Sequence, residues 1–307
     1  MDSSKLLIVV VGPTAIGKTA ISVTIAKQLQ TEILSADARQ FYKDMAIGTA
    51  QPTKQEMDGI VHHFIGVLPV TAAYNAKSFE VDALAVLEKL FKTNDCVILT
   101  GGSGLYIHAL CNGLDKIPIV SEDVRKHINL RLETEGLDTL LQELSVKDQL
   151  YYDNVDKKNP RRIIKALEVI TATKQPYSSF ITNKHTVRSF DMFFIGLIRD
   201  RQELYDRIKL RIDTMVEKGL FEEARLLYPF RDLNALQTIG YKEIFEYMDD
   251  LCSKEEAIDK LKKHTQNYAK RQISWFKRNK DIHWFHPDDP TIVHTIKSHI
   301  TKCLSQE

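Results

Sequence analysis

The stretch "LLIVVVGPTAIGKTAISVTIA", residues 6–26, decides the fold. It begins as a continuous apolar run that ends at Val11, which is typical of a buried strand in a parallel sheet. Gly12, Gly17, Lys18 and Thr19 then match the pattern G-x-x-x-x-G-K-[ST], and a helix-like run follows. A strand, a glycine-rich turn and a helix in this order predict a P-loop, which binds a di- or triphosphate.

Strand and helix patterns alternate through the first third of the chain. Apolar runs predict further strands at residues 31–37, 96–102 and 192–200. Helical spacing predicts helices at residues 16–30, 77–93 and from 103 onward, and after the last strand at 201–219, 221–228, 241–249 and 254–278. This alternation predicts an α/β fold, a P-loop NTPase-like parallel sheet flanked by helices.

The middle of the chain has a different pattern. Residues 115–183 are rich in charge and show no strand pattern, and they predict helices at 122–136, 137–144 and 161–173. We therefore expect an all-helical insertion domain at 115–183. The catalytic core would comprise residues 1–114 and 184–307.

Composition excludes several classes of protein. The 307 residues carry a net charge of +1, so a nucleic-acid site would have to come from local basic patches. The four cysteines form no C-x-x-C pair, which disfavours a zinc site or a disulfide framework. The first apolar run is too short for a signal peptide, and no run approaches the roughly 20 residues of a membrane span. We expect a cytoplasmic protein.

The P-loop residues predict how a phosphate group would be bound. Backbone N–H groups of residues 12–19 would form an anion-binding nest at a helix N-terminus. Lys18 would add positive charge, and the Thr19 hydroxyl is placed to hold Mg²⁺. A P-loop NTPase also needs an acid at the end of a second strand, yet the strand at 96–102 ends in Thr100 and Gly101. Asp37 is the nearest acid by this logic, either as a base or as a helix N-cap.

A second glycine-rich turn, "TGGSGLYIHAL", joins the third predicted strand to a helix. Its glycines, Gly101, Gly102 and Gly104, would let the backbone approach a ligand, and Ser103 could hydrogen-bond to it. Many strand–helix turns contain glycine, but beside a P-loop this one suggests a second wall of the same pocket.

Basic residues recur at helical spacing. Arg161 and Lys165, with Arg125, would form either a face for a phosphate backbone or a solvated face. Arg207 and Arg211 fit either a phosphate clamp or salt bridges to nearby acids. Residues 260–280 contain no acid and interleave basic residues with aromatics. That pattern suits RNA, but an amphipathic helix that packs its aromatics inward is an equal alternative.

Several motifs in order resemble the tRNA isopentenyltransferase family. They are "GPTAIGKT", "SADARQFY" followed by "IGTAQP", "VHHFIG", "LTGGSGLYIHAL", "NPRRIIKALEV", "LQTIGYKE" and "AKRQISWFKR", which together span residues 12 to about 285. The resemblance implies transfer of a dimethylallyl group from dimethylallyl diphosphate to the exocyclic amine of the adenosine 3′ of the anticodon in tRNA. The P-loop would then hold a prenyl diphosphate, so that the missing carboxylate is not needed.

The resemblance also implies residue roles. Asp37 would be the catalytic base, with Ser103 and Lys18 as the other catalytic residues, and Mg²⁺ would bind Thr19. The implied diphosphate-binding residues are Gly12, Pro13, Thr14, Ala15, Ile16, Gly17, Lys18, Thr19, Arg207 and Arg211. The implied tRNA-binding residues are Asp37, Ala38, Arg39, Gln40, Ser103, Arg125, Arg161, Arg162, Ile163, Ile164, Lys165, Gln237, Thr238, Ile239, Gly240, Tyr241, Lys242 and Arg271.

The helical insertion would bind the anticodon stem–loop, and the target adenine would flip into the pocket. Only Cys303 lies in the C-terminal tail, which implies a bacterial-type enzyme without a zinc finger. We expect a monomer. Two alternatives share the P-loop and the acid: an adenylate isopentenyltransferase acting on free nucleotides, and a small-molecule kinase, which would consume ATP. A GTPase-like RNA-binding module is a third, but no guanine-reading N/T-K-x-D motif is evident.

Overall fold

The computed structural model describes the backbone of residues 5–182 and 186–304 and the side chains up to residue 301. Contacts divide the chain into one unit of residues 1–112 and 187–307 and a second unit of residues 113–186. The predicted insertion lies within the second unit, apart from Asn183, which lies outside the described residues.

The first unit is built on a six-stranded parallel sheet with the order β3-β2-β4-β1-β5-β6. The strands are β1 (Leu6–Val11), β2 (Ile33–Ser35), β3 (His62–His63), β4 (Cys96–Gly101), β5 (Asp191–Leu197) and β6 (His283–Phe285). Every residue of β1 is buried, because helices cover both faces of the central strand. The predicted α/β architecture is confirmed.

The helices of this unit follow the strands in the order expected of a parallel sheet. They are α1 (Lys18–Leu29), α2 (Lys54–Met57), α3 (Ala76–Leu90), α4 (Gly104–Asn112), α8 (Arg201–Glu217), α9 (Leu220–Leu227), α10 (Tyr241–Met248), α11 (Lys254–Phe276) and α12 (Ile292–Leu304). Two apolar clusters lie on opposite faces of β1: Ile8 and Val10 belong to one, and Leu7 and Val9 to the other. This division follows from the alternation of side chains along a strand.

The second unit is helical over its described residues. It contains α5 (Glu122–Lys147), α6 (Gln149–Asn154) and α7 (Pro160–Thr173). Its core includes Ile128, Leu144 and Leu167. Gly136 interrupts α5 with φ 82° and ψ 169°, so the helix breaks where the sequence predicts a boundary between two helices.

The structure adds elements that the sequence patterns do not predict. β3 and β6 have two and three residues, which is too short for a recognisable alternation, and both lie at the edges of the sheet. Helices α2, α6 and α12 were also not predicted. Strand β5 begins one residue before its predicted start and ends at Leu197, three residues before its predicted end.

The register of the sheet brings three loops together. Val11 of β1 pairs with Gly101 of β4, and Thr100 of β4 pairs with Ser35 of β2. The loops that follow these strands therefore emerge side by side at the carboxyl edge of the sheet, where open α/β sheets bind ligands. A Cβ atom on Gly101 would lie 2.2 Å from the Ala36 carbonyl oxygen, so a glycine is needed for this close approach.

Candidate active site

The first loop at this edge is the P-loop, which joins β1 to the start of α1 at Lys18. Ala15 and Gly17 have left-handed conformations, with φ 61° and 107°. Turns of this kind direct successive N–H groups into one concavity. Pro13 has no N–H, and the Thr14 N–H donates to Gln272 Oε1 over 2.9 Å. The amides beyond Thr14 are therefore the ones placed to face an anion.

Lys18 folds back over this loop. Its Nζ atom donates to the carbonyl oxygens of Gly12, at 3.0 Å, and Pro13, at 2.7 Å. Burial lowers the pKa of the Lys18 ammonium to about 8; the nearby Asp37 carboxylate opposes this shift and Arg211 adds to it. A partly buried cation whose hydrogen bonds go to carbonyl oxygens is well suited to bind a multiply charged anion.

Asp37 lies in the second loop, directly after β2. The Asp37 Oδ1 atom accepts a hydrogen bond from the Arg39 N–H over 3.0 Å. A turn follows it, and the next helical turn begins at Lys43, so Asp37 caps no α-helix and the N-cap alternative fails.

Ser103, in the third loop, holds the chain on both sides of Asp37. Its N–H donates to the Ala36 carbonyl oxygen over 3.3 Å, and its Oγ accepts from the Ala38 N–H over 2.8 Å. Ser103 therefore fixes the backbone on both sides of Asp37. The Asp37 carboxylate lies close enough to Lys18 to influence its pKa. The predicted second wall of the pocket is the third loop, which begins at Gly101 and Gly102.

Three arginines hold the tip of the P-loop from outside. Arg199 Nε donates to the Ile16 carbonyl over 3.3 Å, and Arg207 Nε donates to the Ala15 carbonyl over 2.9 Å. Arg211 lies 3.4 Å from both Thr14 Oγ1 and the Ala50 carbonyl oxygen. Arg207 and Arg211 therefore adjoin the phosphate-binding loop rather than forming surface salt bridges. Sequence reasoning missed Arg199, which lies two residues before α8 begins.

Arg199 also belongs to an ionic cluster at the surface. Glu203, His286 and Asp288 present ligand atoms within 4.8 Å of one another, as a metal site would. Arg199 already hydrogen-bonds both carboxylates, with 2.9 and 3.0 Å contacts to Asp288. An arginine therefore already engages the two carboxylates that a metal ion would need.

Helix α11 contributes a residue that sequence reasoning missed. The side chain of Gln272 is buried, with Oε1 on the Thr14 N–H and Nε2 donating to the Gly102 carbonyl over 2.8 Å. One amide therefore joins the first loop to the third. The feature of the sequence that could have indicated Gln272 is its uncharged amide within the basic stretch "AKRQISWFKR".

The basic and aromatic residues of α11 divide between two environments. Phe276 is buried in the core, whereas Trp275 and Arg271 are exposed. The Arg271 guanidinium lies 5.8 Å from the centre of the Tyr268 ring. Burial raises the pKa of Tyr268 to about 12. One face of this helix therefore packs inward, as the amphipathic interpretation predicts, and the other presents cations, for which contact with RNA stays a prediction.

The segment 237–242 supports the loop that follows Asp37. Tyr241 is fully buried, and its hydroxyl donates to Glu223 Oε1 over 2.6 Å. Glu223 also accepts the N–H groups of Ile47 and Gly48. Within the same loop, the side-chain amide of Gln40 donates to the carbonyl oxygens of residues 49 and 50. Among the predicted contact residues here, Lys242 has an exposed side chain and Tyr241 does not.

In the second unit the predicted contact residues also differ in exposure. Arg125, Arg161 and Arg162 are exposed, and Lys165 is partly exposed. Ile163 is buried in the unit's own core. The arginines are thus available to a ligand, while Ile163 holds α7 in place.

Comparisons with known proteins identify the family to which the chain is similar. A family model described as "IPP transferase" matches residues 40–279. The tRNA dimethylallyltransferase 1 of Phocaeicola vulgatus is 51% identical over 285 residues, covering 93% of this chain and 95% of its own.

Two solved structures are also similar. One is the tRNA isopentenylpyrophosphate transferase of Bacillus halodurans, with a TM-score of 0.71 and 36% identity over 99% of this chain and 97% of its own. The other is described as a eukaryotic dimethylallyltransferase acting on tRNA, with a TM-score of 0.78 and 26% identity over 99% of this chain and 79% of its own.

Proposed function

The chain belongs to the IPP transferase family, the tRNA dimethylallyltransferases, and from this premise we propose that it prenylates tRNA. The donor is dimethylallyl diphosphate. The acceptor is the exocyclic N6 amine of the adenosine 3′ of the anticodon, and diphosphate is released.

One observation supports the chemistry most directly. The loops after β1, β2 and β4 bring a phosphate-binding nest, the Asp37 carboxylate and the Ser103 hydroxyl to one edge of the sheet. A cation above the nest and a carboxylate beside it suit a reaction in which an anion leaves and a proton is removed.

The bond changes assign each group a task. The adenine nitrogen attacks the first carbon of the prenyl group, and the bond from that carbon to the diphosphate oxygen breaks. Asp37 takes the proton from the nitrogen. Lys18 and the P-loop amides stabilise the charge that builds on the departing diphosphate. Arg207 and Arg211 hold the P-loop tip in the shape that this requires.

The chain offers a ligand for Mg²⁺. Thr19 lies next to Lys18 in the first turn of α1, and its hydroxyl makes no hydrogen bond within residues 5–182 and 186–304. A hydroxyl oxygen is a hard ligand that Mg²⁺ accepts. When bound there, the ion would add positive charge beside the diphosphate.

For the RNA, we propose recognition by exposed cations. Arg125, Arg161 and Arg162 of the second unit would contact phosphates of the anticodon stem–loop, and Arg271 of α11 would contribute from the first unit. The target base would be extruded from the loop, because a stacked adenine cannot reach the carboxylate.

The proposal extends to the form of the enzyme. A single chain carries every group named above, so no second copy is required and a monomer suffices. A tRNA substrate implies action in the cytoplasm. No helix within residues 5–182 and 186–304 has the length and apolar character to cross a membrane.

The test uses purified protein, Mg²⁺ and an unmodified anticodon stem–loop with adenosine 3′ of the anticodon. Dimethylallyl diphosphate is added to one sample and ATP to another, and the RNA is weighed by mass spectrometry. We expect a gain of one dimethylallyl group only with the prenyl donor. A stem–loop with uridine at that position is the matched control and should gain nothing.

Two further samples separate the alternatives. One contains AMP in place of RNA, since an adenylate isopentenyltransferase would prenylate AMP and leave the stem–loop unchanged. The other measures ADP formed from ATP, which a kinase would produce. Either result, with an unmodified stem–loop, would contradict the proposed function.

A further inference from the structure

Gln272 is a buried polar residue of the site that has no part in the proposed reaction. Its side chain is 6% exposed, and both ends of its amide are paired. The partners determine the orientation of the side-chain amide, because Oε1 accepts the Thr14 N–H and Nε2 donates to the Gly102 carbonyl. Burying a polar side chain is costly unless its hydrogen bonds are made, as they are here.

The two partners belong to different loops. Thr14 lies in the P-loop, and Gly102 immediately precedes Ser103, which holds Ala36 and Ala38 on either side of Asp37. A continuous path of hydrogen bonds therefore runs from the phosphate-binding loop through Gln272 and the third loop to the carboxylate loop.

The third loop is shaped to receive this side chain. A Cβ atom on Gly102 would lie 2.2 Å from Gln272 Nε2, and one on Gly104 would lie 2.2 Å from Trp275 Nε1. Gln272 and Trp275 are three residues apart and so share one face of α11. This face packs against the glycine loop so closely that only residues without a side chain fit beneath it.

Resting on the proposed function, we propose that Gln272 is a positioning residue that sets the separation between the leaving-group loop and the Asp37 loop. Prenyl transfer needs the diphosphate on one side of the transferred carbon and the amine on the other. A change of about 1 Å in such an arrangement can cost roughly 100-fold in rate. Both ends of the Gln272 amide are engaged by main-chain groups, so it would act through Thr14 and Gly102.

Two substitutions test this. Gln272→Leu keeps the approximate size and removes both hydrogen bonds. Gln272→Glu keeps the acceptor for Thr14, but its second oxygen donates to Gly102 only when the carboxyl is protonated. Gln28, exposed on α1, supplies the matched controls Gln28→Leu and Gln28→Glu. Thermal unfolding of every variant is measured alongside.

For Gln272→Leu we expect kcat to fall by roughly 10- to 100-fold. Its affinity for inorganic diphosphate with Mg²⁺, measured by calorimetry, should fall only a few-fold, because Lys18 and the remaining P-loop amides persist. A folded Gln272→Leu protein with wild-type kcat and diphosphate affinity would overturn the proposal. So would a lower Tm with unchanged kcat, since that pattern belongs to a purely structural residue.

Gln272→Glu adds a pH readout. Burial raises the pKa of a carboxyl, and both hydrogen-bond partners of residue 272 are main-chain groups that do not titrate. Lys18 in the same loop does titrate in this range, but it does so in the wild type as well, so variant and wild type are compared at the same pH. The ratio of variant to wild-type kcat should therefore rise as the pH is lowered from 8.5 to 6, and a ratio independent of pH would contradict the proposal. If wild-type protein does not prenylate RNA, the proposed function fails, whereas the calorimetric comparison still tests the link between Gln272 and the P-loop.

Discussion

The N–H of Ala38 donates a hydrogen bond to Ser103 Oγ over 2.8 Å, across 65 positions of sequence. The same serine donates its own N–H to the Ala36 carbonyl oxygen. The residue between these two contacts is Asp37. A side chain from one loop therefore fixes the backbone that carries the carboxylate of another loop, and this relationship underlies the first two predictions.

Replacing Asp37 with asparagine should abolish turnover while sparing donor binding. The new side-chain amide would keep an oxygen for the Arg39 N–H, so the turn should persist. We expect kcat to fall by about 100- to 10,000-fold, the usual range for loss of a general base. The mass shift of the RNA measures turnover, and calorimetry with dimethylallyl diphosphate measures binding.

Asp44 offers a matched control for that change. It is exposed, and its carboxylate accepts the Val70 N–H in a similar way. Asp44→Asn should keep near wild-type turnover. Full activity in Asp37→Asn would exclude Asp37 as the base.

Ser103→Ala should lower kcat by roughly 5- to 100-fold, because it leaves the Ala38 N–H without its acceptor at a cost of about 1–3 kcal/mol. Ser103→Thr keeps the hydroxyl and should stay within a few-fold of the wild type. Initial rates at saturating donor and RNA give the comparison. Equal rates for the alanine and threonine variants would show that the hydroxyl does not hold the Asp37 loop.

Diphosphate affinity should weaken at alkaline pH. Burial lowers the pKa of Lys18 to about 8, so the ammonium attracts the anion below that pH and loses its charge above it. We expect the Kd for inorganic diphosphate to rise by up to about tenfold per pH unit above about 8. Calorimetry from pH 7 to 9.5 provides the measurement.

The variant Lys18→Met should bind more weakly below about pH 8, lack this alkaline loss and approach the wild type at the alkaline end. Lys27→Met, on the exposed far end of α1, should behave like the wild type. The assignment of the loss to Lys18 would be wrong if Lys18→Met retained it.

A buried ion pair in the first unit should make stability sensitive to acid. Burial acts to raise the pKa of Glu80, but hydrogen bonds from Arg188 and Lys77 outweigh it and hold that pKa below its ordinary value. Since the folded-state pKa is depressed, the stabilisation is present above the unfolded value of about 4.3 and is lost as the pH falls through the folded value.

Removing Arg188 leaves the buried Glu80 carboxylate with Lys77 as its remaining cation, and it also removes the hydrogen bonds that Arg188 donates to the Ala109 and Leu110 carbonyls. Arg188→Met should therefore cost about 3–5 kcal/mol in the free energy of unfolding. Lys209→Met, which removes an exposed pair with Asp206, should cost about 1 kcal/mol or less. Urea titrations at pH 7 measure the free energy of unfolding of both variants. Similar decreases for the two would show that the buried pair contributes no more than the exposed pair.

Removal of arginines from the second unit should weaken the binding of RNA but not that of dimethylallyl diphosphate. The double variant Arg161→Ala and Arg162→Ala removes two exposed guanidiniums from the start of α7. We expect a higher KM for the stem–loop and an unchanged affinity for dimethylallyl diphosphate. The salt dependence of RNA binding should become shallower, by about 0.7–0.9 for each phosphate that is no longer neutralised.

Lys147→Ala is the matched control in the same unit, because its ammonium is engaged by Glu143. Its salt dependence should equal that of the wild type. An unchanged salt slope in the double variant would remove Arg161 and Arg162 from the proposed RNA surface.

Local sequence patterns were sufficient to predict the long and regular strands and helices of the fold. The continuous apolar run of β1 and the glycine-rich turn after it predict the strand, the P-loop and the start of α1 within two residues. The edge strands β3 and β6 were not predictable in this way. Each has no more than three residues, and each exists because a neighbouring strand offers unpaired backbone groups.

The same distinction applies to the candidate site. Lys18 and Thr19 could be recognised because a single short loop contains the whole pattern that holds a phosphate. Gln272 and Arg199 could not, because their partners lie 258 and 183 positions away in sequence. No local pattern records such a distance.

The sequence by itself determined the order of the long strands and helices, the phosphate-binding loop and the residues able to act as base and cation, since these depend on local backbone preferences and side-chain chemistry. Only the tertiary structure decided which loops meet. Parallel pairing of β1, β4 and β2 placed Lys18, Ser103 and Asp37 at one edge of the sheet. Packing of α11 then set Gln272 between two of those loops, through hydrogen bonds that form only once the sheet and the helix have come together.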